Sequence, residues 1–193
     1  MRDLTHGDAA AHDERTALGL ACLSPEHAAD LLSMLTPDDY GRAEHAAIHA
    51  LYADMTARGI PVDIMTVPRE AHRHGWDRFG GSEYVCSIAD HVPSVARTMA
   101  PLAEAIRDHA ARRRLLRIAE MASQAARGES VRSVADPSRT IDPVTAHDAI
   151  DATLSELAQI PVGQRDEWSH GFDDWDAENA AAAMRLGHAL LAS

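Results

Sequence analysis

Lysine is missing from the 193-residue chain; all 18 basic side chains are arginine. With it go Schiff-base chemistry and every phosphate-binding loop built on Gly-Lys-Ser/Thr. Aromatics are scarce, 4% against 46% hydrophobic residues, so the apolar content is mostly Ala with Leu, Ile, Val and Met. Such a chain favours helices, because Ala costs least to fix in one and β-branched residues are sparse. Cys22 and Cys86 are isolated on helical segments, without CxxC or Cys/His spacing, and are expected as small buried hydrophobes in a reducing compartment. No stretch reaches the ~18 apolar residues of a membrane helix, and the start, MRDLTHGDAAAHDE, has no apolar signal core, so a cytoplasmic protein without membrane contact is expected. Positive charge is also in deficit: the formal net charge is -12 and the pI about 5.3. That argues against direct nucleic-acid binding and for a protein partner.

What is present reads as helices in series. Apolar positions Ala17, Leu18, Ala21 and Cys22 predict a first helix over 9–23. Ser24-Pro25-Glu26 starts a second, with Ser24 as cap and Leu31, Leu32 and Leu35 on its buried face. Over 41–85 the chain runs helix, turn, helix, turn, helix: Ile48, Leu51, Tyr52 and Met55 form a stripe, and Gly59 sits where a left-handed residue ends a helix. Thr66 is placed to cap the next helix, which Gly75 closes, and Gly80-Gly81 turns the chain into a helix from Ser82 to about His91.

After Pro93 the pattern changes. From Thr98 to Arg127 there is no glycine, and Pro101 falls within a first turn, predicting one helix of about thirty residues, roughly 45 Å long. Leu102, Ile106, Ala110, Leu116, Ala119 and Ala122 mark one face of it. Gly128 ends it, and 129–140 reads as a polar connector without a core-forming pattern. Asp142 looks like the cap of a further helix, with Val144, Ile150, Leu154 and Leu157 on its apolar face. The tail from Pro161 sets Trp168, Phe172 and Trp175 among acids, followed by an Ala-rich segment over 177–191.

The order of residues through the central stretch carries a resemblance. His45 and Ile48, then Pro61-Val62-Asp63-Ile64-Met65-Thr66-Val67, then Gly80-Gly81 with Tyr84 and Ile88, then Val92-Pro93-Ser94, are similar to the N-terminal domain of bacterial replicative helicases of the DnaB family. The likeness extends from about Ala10 to about Ile160 and takes in Thr36-Pro37-Asp38-Asp39-Tyr40 and Arg114. It implies an all-α fold: a small helical head at 9–92, a long helical hairpin at 93–160, and here an acidic tail at 161–193. It also implies that the hairpin dimerises the domain, and the scarcity of aromatics gives that independent sense, since apolar stripes at Leu102, Ile106, Ala110, Leu116, Ile150, Leu154 and Leu157 want a second chain to cover them. In the intact helicases the domain forms a collar and is involved in binding primase. The chain resembles that half alone, stopping where a motor would begin; His170 to Asp176 faintly resembles the entry to it, but no glycine-rich nucleotide segment follows.

Local chemistry offers several readings. His45 and His49 have the spacing of a zinc pair on a helix, but the metalloprotease glutamate is absent and no third ligand has a predictable place. His45 is instead a structural position of the resembled family, as are Asp63, Thr66, Gly80, Gly81 and Arg114, the last expected in an ion pair. Asp63 and Thr66 also suit a tight link by satisfying backbone groups. Asp173, Asp174 and Asp176 have the chemistry of magnesium ligands, although an acidic tail is the commoner meaning. With Trp168, Phe172 and Trp175 between them, the acids read better as a short motif whose rings enter a partner's pocket while the charges meet a basic rim. Arg107, Arg112, Arg113, Arg114 and Arg117 on the long helix read as a solvated face with some ion pairs. No nucleophile elbow or activated cysteine stands out, so neither catalytic residue, cofactor nor metal is expected.

The function these readings imply is a non-enzymatic, homodimeric interaction module of DNA replication, with a replicative helicase, primase or helicase loader as partner. Two alternatives remain: a small regulator reusing the fold to bind another protein or nucleic acid, and a truncated helicase remnant.

Overall fold

The computed structural model describes residues 6–93, 98–143 and 145–160. Among them the architecture is a helical head from which one long helix runs out into a hairpin. The head is built from α1 (His6–Ala21), α2 (Pro25–Met34), α3 (Ala43–Ala57), α4 (Thr66–His74) and α5 (Ser82–Cys86). Short 3₁₀ turns at Pro37–Asp39, Trp76–Phe79 and Ala89–His91 link or extend them.

Of the three expected N-terminal caps, Ser24 is in place. Ser24 accepts a hydrogen bond from the His27 amide at 3.1 Å, with Pro25 in the first turn of α2. At α4 the roles shift by three residues. Asp63 Oδ1, not Thr66, receives the free amides of Met65 and Thr66, both at 2.8 Å, while the Thr66 hydroxyl donates back to the Pro61 carbonyl at 2.5 Å. A carboxylate at the positive end of a helix is the stronger cap. The helix expected to reach His91 stops at Cys86 because the Ser87 hydroxyl bonds back to the Tyr84 carbonyl, and the chain continues in the 3₁₀ turn. On this short helix Val85 faces inward, and Cys86, expected to be buried, is exposed.

The stripe Ile48, Leu51, Tyr52 and Met55 meets Leu18, Leu20 and Leu31 in the head core, with Phe79 and Val85 closing it. At Gly19 α1 passes close to the segment at Ile88, since a Cβ there would stand 2.6 Å from the Ile88 carbonyl oxygen. Gly80, at φ 85°, takes a left-handed conformation that other residues resist.

The long helix, α6, spans Ala100–Ala126, close to expectation. Its first turns belong to the head: Met99, Ala103 and Ile106 are buried there. Ile106, expected on a dimer face, is therefore enclosed within its own chain and unavailable to a second. Farther along, α6 pairs with α7 (Ala146–Leu157), whose cap is Thr145 in a reciprocal box with Asp148 rather than Asp142. The connector is also more ordered than its polarity suggested. Strands β1 (Val131–Arg132) and β2 (Thr140–Ile141) pair antiparallel, Val131 opposite Ile141, and Val131 joins Met121, Ala125 and Ala149 in a second small core. Glu156 of α7 ties the connector down by accepting from the Ser133 hydroxyl and from the Ala135 amide at 2.8 Å.

Candidate functional site

Two features of the fold concentrate chemistry: a chain of buried polar groups inside the head, and an apolar face left open on the hairpin. The first centres on His45, which α3 carries into the interior with no exposed surface. Its Nδ1 donates to Glu14 Oε2 at 2.6 Å, and its Nε2 accepts from the Tyr84 hydroxyl at 2.5 Å. Glu14, buried on α1, also receives the Gly41 amide at 2.7 Å and lies 3.7 Å from the Arg113 guanidinium. Burial alone would raise the Glu14 pKa, but the His45 hydrogen bond, the Gly41 amide and the nearby Arg113 charge outweigh it and hold the carboxyl below its usual range. Beside this, Tyr40 donates to His49 Nδ1 at 3.1 Å, and burial lowers the His49 pKa against the opposing pull of Asp39. Deeper still, Tyr52 donates to the Leu18 carbonyl at 3.3 Å and accepts from Cys22, whose thiol burial pushes up to about 11.

The zinc-like spacing of His45 and His49 thus resolves into two separate hydrogen-bonded pairs. Both nitrogens of His45 are occupied by protein groups, and no cluster of three or more potential ligands occurs among the described residues. Arg114, expected in an ion pair, makes none among the described residues. Its neighbour Arg113 makes it instead, facing Glu14 and donating to the Asp39 carbonyl at 2.5 Å. One residue along a helix is a rotation of about 100°, enough to exchange the two roles. Glu14 itself went unnoticed in the sequence. Its signal was there: a carboxylate in the same helical stripe as Ala17, Leu18 and Ala21, where an unpartnered charge would be costly.

The second feature lies on α6 and α7. Ile150, Leu154 and Leu157 are 54, 58 and 37% exposed and recur at four and three residues on one side of α7, while Ala149 and Glu156 face the hairpin's interior. On α6, Leu115 and Leu116 are 50 and 71% exposed. Leu102 and Ala110 are half-buried, Leu102 against the head core. Trp168, Phe172, Asp173, Asp174 and Trp175 lie outside the described residues.

Polar groups satisfied internally and an apolar hairpin face turned outward define an all-α head-and-hairpin scaffold. Comparison with known proteins specifies which one. Residues 9–108 match the family described as the DnaB-like helicase N terminal domain, and the chain belongs to that family. It is 30% identical over 155 residues to the replicative DNA helicase DnaB of Geobacillus stearothermophilus, covering 79% of this chain and 30% of that one. It is also 30% identical over 169 residues to DnaB of Mycobacterium leprae, covering 85% and 27%. The chain therefore spans less than a third of these relatives' length. Among solved structures it is similar to the N-terminal domain of DnaB helicase from Mycobacterium tuberculosis, with a TM-score of 0.62 and 26% identity, covering 77% of this chain and 95% of that one. A DnaB-like replicative helicase described with its interactions with primase shares the fold, with a TM-score of 0.54, 20% identity, and 88% and 34% covered. The family match lies in the N-terminal domain, not in the motor. Among the described residues no helix is long and apolar enough to cross a membrane.

Proposed function

We propose that this protein is a non-enzymatic interaction module of DNA replication, acting in the cytoplasm as a homodimer that engages a replicative helicase, primase or helicase loader. The observation that carries the reading is the open face of α7. A helix whose fold is secured by Ala149, Thr153 and Glu156 has no internal need for Ile150, Leu154 and Leu157 outside it. Apolar side chains grouped on one face mark an interaction surface, and a hairpin offers that surface symmetrically to a second copy. Membership of the helicase N-terminal family supports a partner within the replication machinery, and the primase interactions described for a structural relative support primase as one of the candidates. The acid-aromatic segment Trp168 to Trp175 is proposed as a further partner-binding motif. The absence of lysine removes the usual nucleotide-binding loop and supports a role without a motor of its own.

The test is the mass of the purified protein by light scattering, alone and mixed with a DnaB-type helicase or a primase from the same source. A dimer that shifts to a larger complex supports the reading. A monomer at micromolar concentration sinks the dimer, and a dimer that retains neither helicase nor primase sinks the replication role.

A further inference from the structure

The head carries a hollow that its own side chains leave unfilled. It lies between α3 and the 3₁₀ turn Trp76–Phe79 and has a volume of about 140 Å³. Its floor is Leu51 and Phe79, both buried members of the head core and so held in place by packing. The wall on α3 is Ala47 and Ala50, one turn apart and too short to close the space. Longer side chains stand at the mouth. Asp54 is already paired with Arg58 at 2.7 Å. His74, the last residue of α4, and Arg78 are exposed and make no hydrogen bond or ion pair among the described residues. The Arg78 guanidinium lies 5.3 Å from the centre of the Phe79 ring, at the edge of the hollow. An apolar floor under two uncommitted basic groups stands out on a chain whose formal net charge is -12.

We infer that this hollow is a docking site for an acidic segment of a partner protein, which inserts one aromatic side chain between Ala50 and Phe79 and sets its neighbouring carboxylates against Arg78 and His74. Size decides what enters. Sites for drug-sized ligands run to about 300–1,000 Å³, whereas a cavity of about 150 Å³ holds a single benzene ring. The hollow therefore suits one ring and is too small for a nucleotide or a cofactor. A ring carried on a peptide adds the contacts at the mouth that a free ring lacks. Charge decides what surrounds it. The Arg78 guanidinium is a planar fork that matches a carboxylate, and the one carboxylate at the mouth, Asp54, is held by Arg58. The Phe79 ring offers the incoming ring an edge or a face to pack on. The site is built by the head alone, so it stands whether or not the open face of α7 pairs with a second copy.

The test titrates the full chain into a fluorescently labelled synthetic peptide with one tryptophan between aspartates, read by fluorescence anisotropy. Saturable binding is expected with a Kd below about 1 mM, the range of a single anchored side chain. Replacing the peptide's tryptophan by alanine should abolish it. Replacing its aspartates by asparagine should weaken it about fivefold, the scale of surface ion pairs. On the protein, Ala50→Leu fills the hollow and Arg78→Glu reverses the charge at its mouth. Both positions are exposed, so far-UV helix content should be unchanged while affinity falls about tenfold. Should either variant fail to fold, Ala50→Met or Arg78→Gln takes its place. Absence of saturation up to about 1 mM, equal binding of either altered peptide, or unchanged affinity in either folded variant overturns the docking site.

Discussion

Glu14 and His45 stand 31 residues apart in the chain and 2.6 Å apart in the fold, a carboxylate and an imidazole both withdrawn from solvent. Through this contact α1 and α3 are joined by more than the apolar stripes that brought them together. The remaining oxygen of Glu14 and the remaining nitrogen of His45 extend the connection to the Gly41 amide and to Tyr84 on α5.

Removing one member of such a pair deprives the other of its closest contact. His45→Ala takes the 2.6 Å partner from Glu14 but leaves the Gly41 amide and a guanidinium at 3.7 Å, so the loss is expected below ~3–5 kcal/mol, the cost of a buried charge left with no partner. Glu14→Gln keeps the shape and one acceptor oxygen and should lose distinctly less. Urea denaturation of the two variants checks the order; equal midpoints would mean that the pair contributes through packing alone.

Acid should weaken the fold in two steps whose signs follow from the shifts. His49 has a lowered pKa in the fold, so the unfolded chain takes up the proton first, and stability declines as pH falls below the ordinary histidine value of 6.5. Glu14 is also lowered, so its contribution is present above the ordinary value of 4.5 and is lost as pH drops through the folded value. Melting temperature against pH should then show the upper decline reduced in His49→Gln and the lower one in Glu14→Gln. A Glu14→Gln curve parallel to that of the parent below pH 4.5 would rule out the carboxylate as the source.

How much of this was legible beforehand differs by kind of feature. The head helices and the extent of α6 follow from periodicity, Ser24-Pro25 and the glycines, all local signals. Glu14 with His45, and Arg113 in place of Arg114, depend on which helix faces which, and a rotation of one residue decides that. The β-ribbon was hidden because its stability comes from one valine and from Glu156, a carboxylate on the next helix that takes up its polar groups. Ile106 reads the same in sequence whether a neighbouring helix or a second chain covers it.

Gly19 should tolerate no side chain. A methyl group there would meet the Ile88 carbonyl oxygen at 2.6 Å and the Val92 side chain at 2.7 Å, and backbone cannot swing aside as a long side chain can. Gly19→Ala is expected to cost about 1–3 kcal/mol, the usual penalty of overpacking, despite the better helix propensity of alanine. Thermal unfolding measures it. A variant as stable as the parent would show that α1 and the segment at Ile88 separate freely.

The open face of α7 and the enclosed Ile106 give opposite expectations for two substitutions of similar residues. Leu154 is 58% exposed, so Leu154→Glu removes little packing within its own chain and should leave helix content intact. If a second copy covers that face, the same change places a carboxylate against apolar surface, and burying an unpaired charge is strongly unfavourable; the measured mass should fall from dimer to monomer. Ile106 has no exposed surface and lies in the head core, so Ile106→Ala should cost about 2–5 kcal/mol of stability through a cavity, whatever the oligomeric state. Light scattering and thermal melts on both variants separate the roles. Leu154→Glu that remains a dimer, beside an Ile106→Ala that dissociates without losing stability, would place the interface on α6 and leave the α7 face to another partner.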